Sequence, residues 1–191
     1  GVDPAEIVFS GVGKTADEMQ QAIAAGIGQF NVESIPEMER LSEVATENSA
    51  TVNVAVRVNP DVDADTHHKI STGRHHDKFG IEIARARTVY ARAASLPGIS
   101  ANAVTDLSPF RAAFLHVAAL VHELRADGHE ITKLDLGGGL GIDYGHHIPP
   151  DPHDYAAIVA ETVGNLGCTL VFEPGRYLAG PAGVLLTEII Y

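Results

Sequence analysis

The sequence predicts an α/β fold, a (β/α)8 TIM-type barrel of parallel strands joined by helical crossovers. Three observations point there. Short β-rich runs alternate with helical patterns along the whole chain. In the run Thr51 to Asn59, Val52, Val54, Val56 and Val58 share one face, while Asn53, Ala55, Arg57 and Asn59 share the other. An open doubly wound sheet, covered by helices on both faces, favours apolar residues on both. Valines outward with an Arg inward suit a barrel whose lumen end holds a ligand, the competing reading being an edge strand with one wet face. Finally, glycine-bearing and charge-bearing segments directly follow strands, at the barrel end that carries chemistry. A full barrel has eight strand–helix units in ~250 residues, and about six are counted here, so the barrel is expected to be incomplete.

The elements follow in order. Ile7 to Phe9 reads as a buried strand. Thr15 and Glu18 have capping-box spacing, Met19, Ile23 and Ala24 form one apolar face, and Gly26 stops the helix. Gln29 to Val32 is the next strand. Ser34 and Glu37 form a second box, with Pro36 in the first turn and Met38, Leu41, Val44 and Ala45 behind it. After the strand Thr51 to Asn59, residues 60–77 read as a long loop. Helices are expected at Ala84 to Leu96, Pro109 to Ala126 and Asp154 to Leu166. Strands are expected at Ile99 to Val104, Lys133 to Leu136, Leu170 to Phe172 and Val184 to Ile190.

Composition narrows the function classes. The 191 residues carry 13 Lys and Arg against 25 Asp and Glu, a net charge of −12. Phosphate backbones would be repelled, which argues against nucleic acid but not against a local site for one small anion. No apolar run approaches the ~20 residues of a membrane span. Cys168 is the single cysteine, so no intrachain disulfide forms and a reducing compartment is the simplest reading. The segment Gly1 to Glu6 lacks a signal-peptide pattern, and a cytoplasmic location is expected.

The run Gly137-Gly138-Gly139-Leu140-Gly141 follows a strand, where backbone N–H groups can approach a phosphate. Taken alone, such a run is more often a plain turn. Glu173-Pro174-Gly175-Arg176 puts an acid and a base after the next strand, and taken alone reads as an ion pair flanking a turn. The pairs His67/His68, His75/His76 and His146/His147 lack zinc-ligand spacing and read as exposed loop residues. Asp61, Asp63 and Asp65 open like a calcium loop, but Thr66 and Thr72 stand where it needs Gly and Glu. No metal site is expected.

Together these segments are more specific. Phe9-Ser10-Gly11-Val12-Gly13-Lys14-Thr15, Phe30-Asn31-Val32-Glu33-Ser34 and Arg57-Val58-Asn59-Pro60-Asp61-Val62 come in order. Lys69-Ile70-Ser71-Thr72-Gly73, Lys78-Phe79-Gly80, Leu134 to Gly141 and Glu173 to Arg176 follow. Over essentially its whole length the chain resembles the diaminopimelate decarboxylase family, pyridoxal-phosphate enzymes with an alanine-racemase-like barrel.

The resemblance implies a cofactor-binding barrel over residues 1–183, with 184–191 starting the connection to a C-terminal β-domain. It implies decarboxylation of meso-2,6-diaminopimelate to L-lysine by a homodimer with shared active sites. Gly137, Gly138, Gly139, Glu173, Pro174, Gly175, Arg176 and Arg57 would bind pyridoxal phosphate. Glu173 would pair with the pyridine nitrogen, Arg176 would bind phosphate or a substrate carboxylate, and Arg57 would be a supporting partner. The family's Schiff-base Lys lies on the first strand, and none of Lys14, Lys69, Lys78 and Lys133 matches its context. The chain is thus expected to start downstream of it and to be inactive alone. The resemblance also implies a His-Ile-Gly-Ser-Gln segment ahead of Thr105, which is either deleted or outside the given sequence, and a C-terminal domain that supplies a Cys, Glu and Tyr. Two alternatives stand at this stage. One is a same-fold decarboxylase of ornithine, arginine or carboxynorspermidine, and the other is a non-catalytic regulatory barrel.

Overall fold

The structure, a computed structural model, describes residues 1–59, 80–105, 110–143, 151–184, 186 and 188, with backbone alone for 102–105. The strands are β1 (Val8–Phe9), β2 (Gln29–Val32), β3 (Val52–Asn59), β4 (Ile81–Glu82), β5 (Ile99–Thr105), β6 (Lys133–Asp135) and β7 (Thr169–Val171). The helices are α1 (Ala16–Ala25), α2 (Ile35–Glu47), α3 (Ala86–Ser95), α4 (Phe110–Ala126), α5 (Pro152–Thr162) and α6 (Gly175–Ala179). The predicted loop at 60–77 and all three histidine pairs lie outside the described residues.

Every strand pairing is parallel, and the order β1-β2-β3-β5-β6-β7 follows the chain, with β4 paired to the end of β3. A doubly wound sheet reverses its strand order at a switch point, and this one does not. The sheet also curls. Asn31 on β2 and Glu173 just past β7 are separated by four strand spacings, which in a flat sheet is ~19 Å. Their side chains nevertheless hydrogen-bond, Asn31 Nδ2 to Glu173 Oε1, at 3.2 Å. Only an arc of a barrel brings them together.

The two faces of the arc differ as the valine pattern requires. Register aligns Phe30 with Val54 and Ala101, and Val32 with Val56. These residues join Met38, Leu41, Val89, Phe114 and Val117 in one apolar core shared with the helices. The inner face carries Asn31, Ala55 and Arg57 together with Asp135. Gln29 and Asn31, only 1% exposed, are polar residues buried on that inner side.

Local chemistry sets the ends of the elements. Thr15 and Glu18 complete a reciprocal capping box, and Gly26 closes α1 in the left-handed region at φ 75°. The second box is half-made. Ser34 Oγ accepts from Glu37 N at 3.3 Å, but the Glu37 carboxylate is taken by Lys14 Nζ and by Glu33 N, each at 2.7 Å. α5 starts at Pro152, two residues before the predicted start, because Asp151 caps it. β4 and α6 were not anticipated. Two residues carry no periodicity, and a five-residue helix opening on Pro-Gly reads as a turn. In the predicted strand Val184 to Ile190, the described residues Val184, Leu186 and Glu188 are in no strand. Val184 and Leu186 are 89% exposed, and no described strand lies beside them.

Lys14 ties three elements together. Its side chain is 2% exposed, and Nζ donates to Gly11 O at 2.5 Å, Asn31 O at 2.7 Å and Glu37 Oε1 at 2.7 Å. Removing one partner of a buried ion pair strands the other charge and typically costs ~3–5 kcal/mol. Lys14→Met is expected to lower stability by that order in denaturant unfolding of the protein that carries this domain. Lys14→Met/Glu37→Gln should recover part of the loss, since no unpaired charge remains. A double variant no more stable than the single one would contradict this account.

Candidate active site

The functional side chains gather where β1, β2, β3, β6 and β7 end. At β6, Asp135 is fully buried, and its Oδ1 accepts from Gly137 N at 2.8 Å. This bond turns the chain sharply into the glycine run. Glu173 N donates to Gly137 O at 2.7 Å, which joins the turn after β6 to the turn after β7. Gly138 is confined by that join, because a Cβ there would lie 2.3 Å from the Glu173 carbonyl oxygen. Gly139, at φ 92°, takes a conformation that disfavours any side chain. The amides of Gly138 and Gly139 make no hydrogen bond among the described residues.

Glu173 points into the lumen. Its Oε1 accepts from Asn31 Nδ2, and the same amide nitrogen lies 3.5 Å from Asp135 Oδ2 and 3.3 Å from Ser10 Oγ. Asn31 Oδ1 accepts from Gln29 Nε2 at 2.9 Å, which orients the amide. The Glu173 carboxyl is pushed up to about 7 by desolvation first, then by the charge of Asp135 and its hydrogen bond. Arg57 and Asn31 pull it the other way. One side of Glu173 remains open to solvent.

Arg57 lies on the inner face of β3, and its Nη1 donates to Glu33 Oε1 at 2.8 Å. Glu33 is held in turn by Glu37 through its backbone N–H. Pro174 caps α6, and the Gly175 amide is taken by the Glu173 carbonyl at 2.8 Å. Arg176 sits exposed on α6 and makes no ion pair with Glu173 among the described residues. The ion-pair-and-turn reading of this tetrapeptide therefore fails. The structure brings Glu173, the glycine turn and the start of α6 to one end of the arc.

Sequence reasoning missed Asn31, Asp135, Glu33, Lys14 and Gln29 as members of this network. The signal was present. Gln29 and Asn31 alternate with Phe30 and Val32, and Asp135 interrupts Leu134 and Leu136. Polar residues at alternate positions of a parallel strand face the lumen. Among the described residues no three His, Cys, Asp or Glu side chains are grouped to hold a metal ion. No described helix is long and apolar enough to cross a membrane.

Residues 1–180 match the family model described as the pyridoxal-dependent decarboxylase, pyridoxal binding domain. The chain belongs to the pyridoxal-dependent decarboxylases. It is 48% identical over 199 residues to the diaminopimelate decarboxylase of Pseudomonas aeruginosa, covering 100% of the chain and 48% of that protein. It is 44% identical over 200 residues to the Zymomonas mobilis enzyme of the same name, again covering 100% of the chain and 48% of the relative. The crystal structure of diaminopimelate decarboxylase from Helicobacter pylori complexed with L-lysine superposes with a TM-score of 0.87 at 33% identity. That match covers 92% of this chain and 47% of that one. The chain spans about half the length of the curated relatives it matches. The family's cofactor is pyridoxal phosphate.

The residues present fit that cofactor. Two neighbouring carboxylates, Asp135 and Glu173, leave excess negative charge that suits a cationic ring N–H, and the amides of Gly138 and Gly139, without a partner among the described residues, suit phosphate oxygens.

The raised Glu173 carboxyl has a consequence for stability. The folded, cofactor-free protein keeps this proton up to about 7, whereas the ordinary value is 4.5. The stability this group contributes is thus fully present below 4.5 and is lost as pH rises through about 7. The wild type minus Glu173→Gln difference in Tm should fall across that window and flatten above it. A difference that is constant with pH would contradict the assignment.

Proposed function

We propose that the protein carrying this domain removes carbon dioxide from meso-2,6-diaminopimelate to give L-lysine, with pyridoxal phosphate as cofactor. The observation that carries this reading is Glu173, held in the lumen by Asn31 beside the open glycine turn. The similarity to diaminopimelate decarboxylases over the whole chain supports the substrate. Residues 1–183 form the cofactor-binding part in this reading, and 184–191 lead towards a C-terminal β-domain. The protein works in the cytoplasm as a homodimer with shared active sites, which the family resemblance supports.

Bound pyridoxal phosphate supplies a sink for the electron pair left when carbon dioxide departs. Glu173 keeps a proton at the ring nitrogen, which preserves that sink. Gly137, Gly138 and Gly139 would admit the phosphate against the backbone, where the amides of Gly138 and Gly139 could donate to it. Pro174 and Gly175 shape the turn that sets Arg176 beside the same ligand. The planar guanidinium of Arg176 binds two oxygens of a phosphate or carboxylate at once. Arg57, oriented by Glu33, puts a positive charge on the inner face and helps Glu173 ionise.

In the full-length protein Glu173→Gln should lower turnover ~10²–10³-fold, the usual cost of losing such an electrostatic contact. Cofactor affinity, read from bound-cofactor absorbance, should fall much less. Arg176→Lys should weaken substrate or cofactor binding severely despite conserving charge. Turnover near wild type in Glu173→Gln, with cofactor binding lost, would reverse the assigned role.

A further inference from the structure

The Nδ2 group of Asn31 has two hydrogens. Three acceptors lie within its reach, namely Ser10 Oγ at 3.3 Å, Glu173 Oε1 at 3.2 Å and Asp135 Oδ2 at 3.5 Å. Gln29 holds the other end of the amide, so the nitrogen stays on the carboxylate side. Asp135 is fully buried and makes no salt bridge among the described residues. Its Oδ1 accepts from the neutral Gly137 amide at 2.8 Å.

Charged and titratable groups near this pair come from β3, the segment after β1, α5 and α6. Arg57 approaches from β3 but is bound to Glu33, and Lys14 beyond β1 is committed to Glu37 and two carbonyls. Tyr155 on α5 feels the charge of Asp135 and is pushed up to about 12, by burial first. Arg176 on α6 forms no pair with either carboxylate among the described residues. A carboxylate already charged makes a second one beside it harder to ionise.

We propose that Asp135 and Glu173 share one proton in the cofactor-free site, and that Asp135 is the positioning residue that decides when Glu173 becomes an anion. The significance for catalysis rests on the reading of Glu173 as partner of the ring nitrogen. The pair gives up its proton when a cationic group is seated against Glu173. The proton goes to water if the arriving nitrogen is already protonated, and to that nitrogen if it is not. Either route leaves Glu173 ionised, and no other reactant is needed. The same Asp135 carboxylate fixes Gly137 N–H, so one side chain serves the glycine turn and the ring-nitrogen carboxylate together.

The test is infrared and carbon-13 NMR titration of labelled carboxyl groups in the cofactor-free full-length protein, from below to above neutrality. Wild type should show a protonated carboxyl that disappears near neutrality. Asp135→Asn keeps an acceptor for Gly137 N–H, and in it the Glu173 midpoint should drop by about one to two pH units. Should Asp135→Asn not fold, Glu173→Gln probes the pair from the other side and should abolish the protonated carboxyl near neutrality. A Glu173 midpoint unmoved by Asp135→Asn, or no protonated carboxyl just below neutrality in wild type, overturns the proposal. Pyridoxal phosphate added to wild type should remove the protonated signal. If the signal responds to Asp135→Asn but not to pyridoxal phosphate, the shared proton stands and the ring-nitrogen reading fails.

Discussion

The contact of Asn31 with Glu173 across the lumen is the constraint on which the rest of this molecule depends. A hydrogen bond of 3.2 Å between the second and last strands of an ordered parallel sheet demands strong curvature. Curvature of one sense leaves a single convex face for the helices and a concave face too narrow for them. The valines of β3 therefore meet helix side chains, whereas Asn31, Arg57 and Asp135 turn inward. Inward polar groups have little water, so each must find a partner or shift its charge.

The two sides of the lumen meet that demand differently. Towards β1, β2 and β3, acids are matched by bases, Lys14 with Glu37 and Arg57 with Glu33. Towards β6 and β7, Asp135 and Glu173 stand together, and the amides of Asn31 and Gly137 donate to them. A neutralised wall opposite an electron-rich one is an arrangement suited to a ligand carrying a positive ring nitrogen. The −12 net charge says nothing of this, since most of those acids lie outside the lumen.

The legibility of the elements followed the range of the forces that make them. The Thr15–Glu18 box and the Gly26 stop depend on residues within a few positions, and both are present as read. The Ser34–Glu37 box was read by the same rule and is half-made, because Lys14, distant in sequence, captures Glu37. Arg57 was placed inward by alternation with the valines, and its partner Glu33 was not identified, since that pairing crosses from β2 to β3. β4 was missed because two residues acquire strand geometry only from β3 beside them.

The sequence by itself determined the alternation of parallel strands and helices, the outward valine face, the glycine turn after β6 and the family to which these segments belong. All are set by local periodicity, by backbone freedom at glycine and by residue order. Tertiary structure alone decided that Asn31, Asp135 and Glu173 meet, that Arg176 and Glu173 form no ion pair among the described residues, and that Lys14 is buried. Those outcomes depend on the curvature and stagger of the whole sheet. No short window of sequence contains them, because hydrogen bonds across the lumen join residues as many as 142 positions apart.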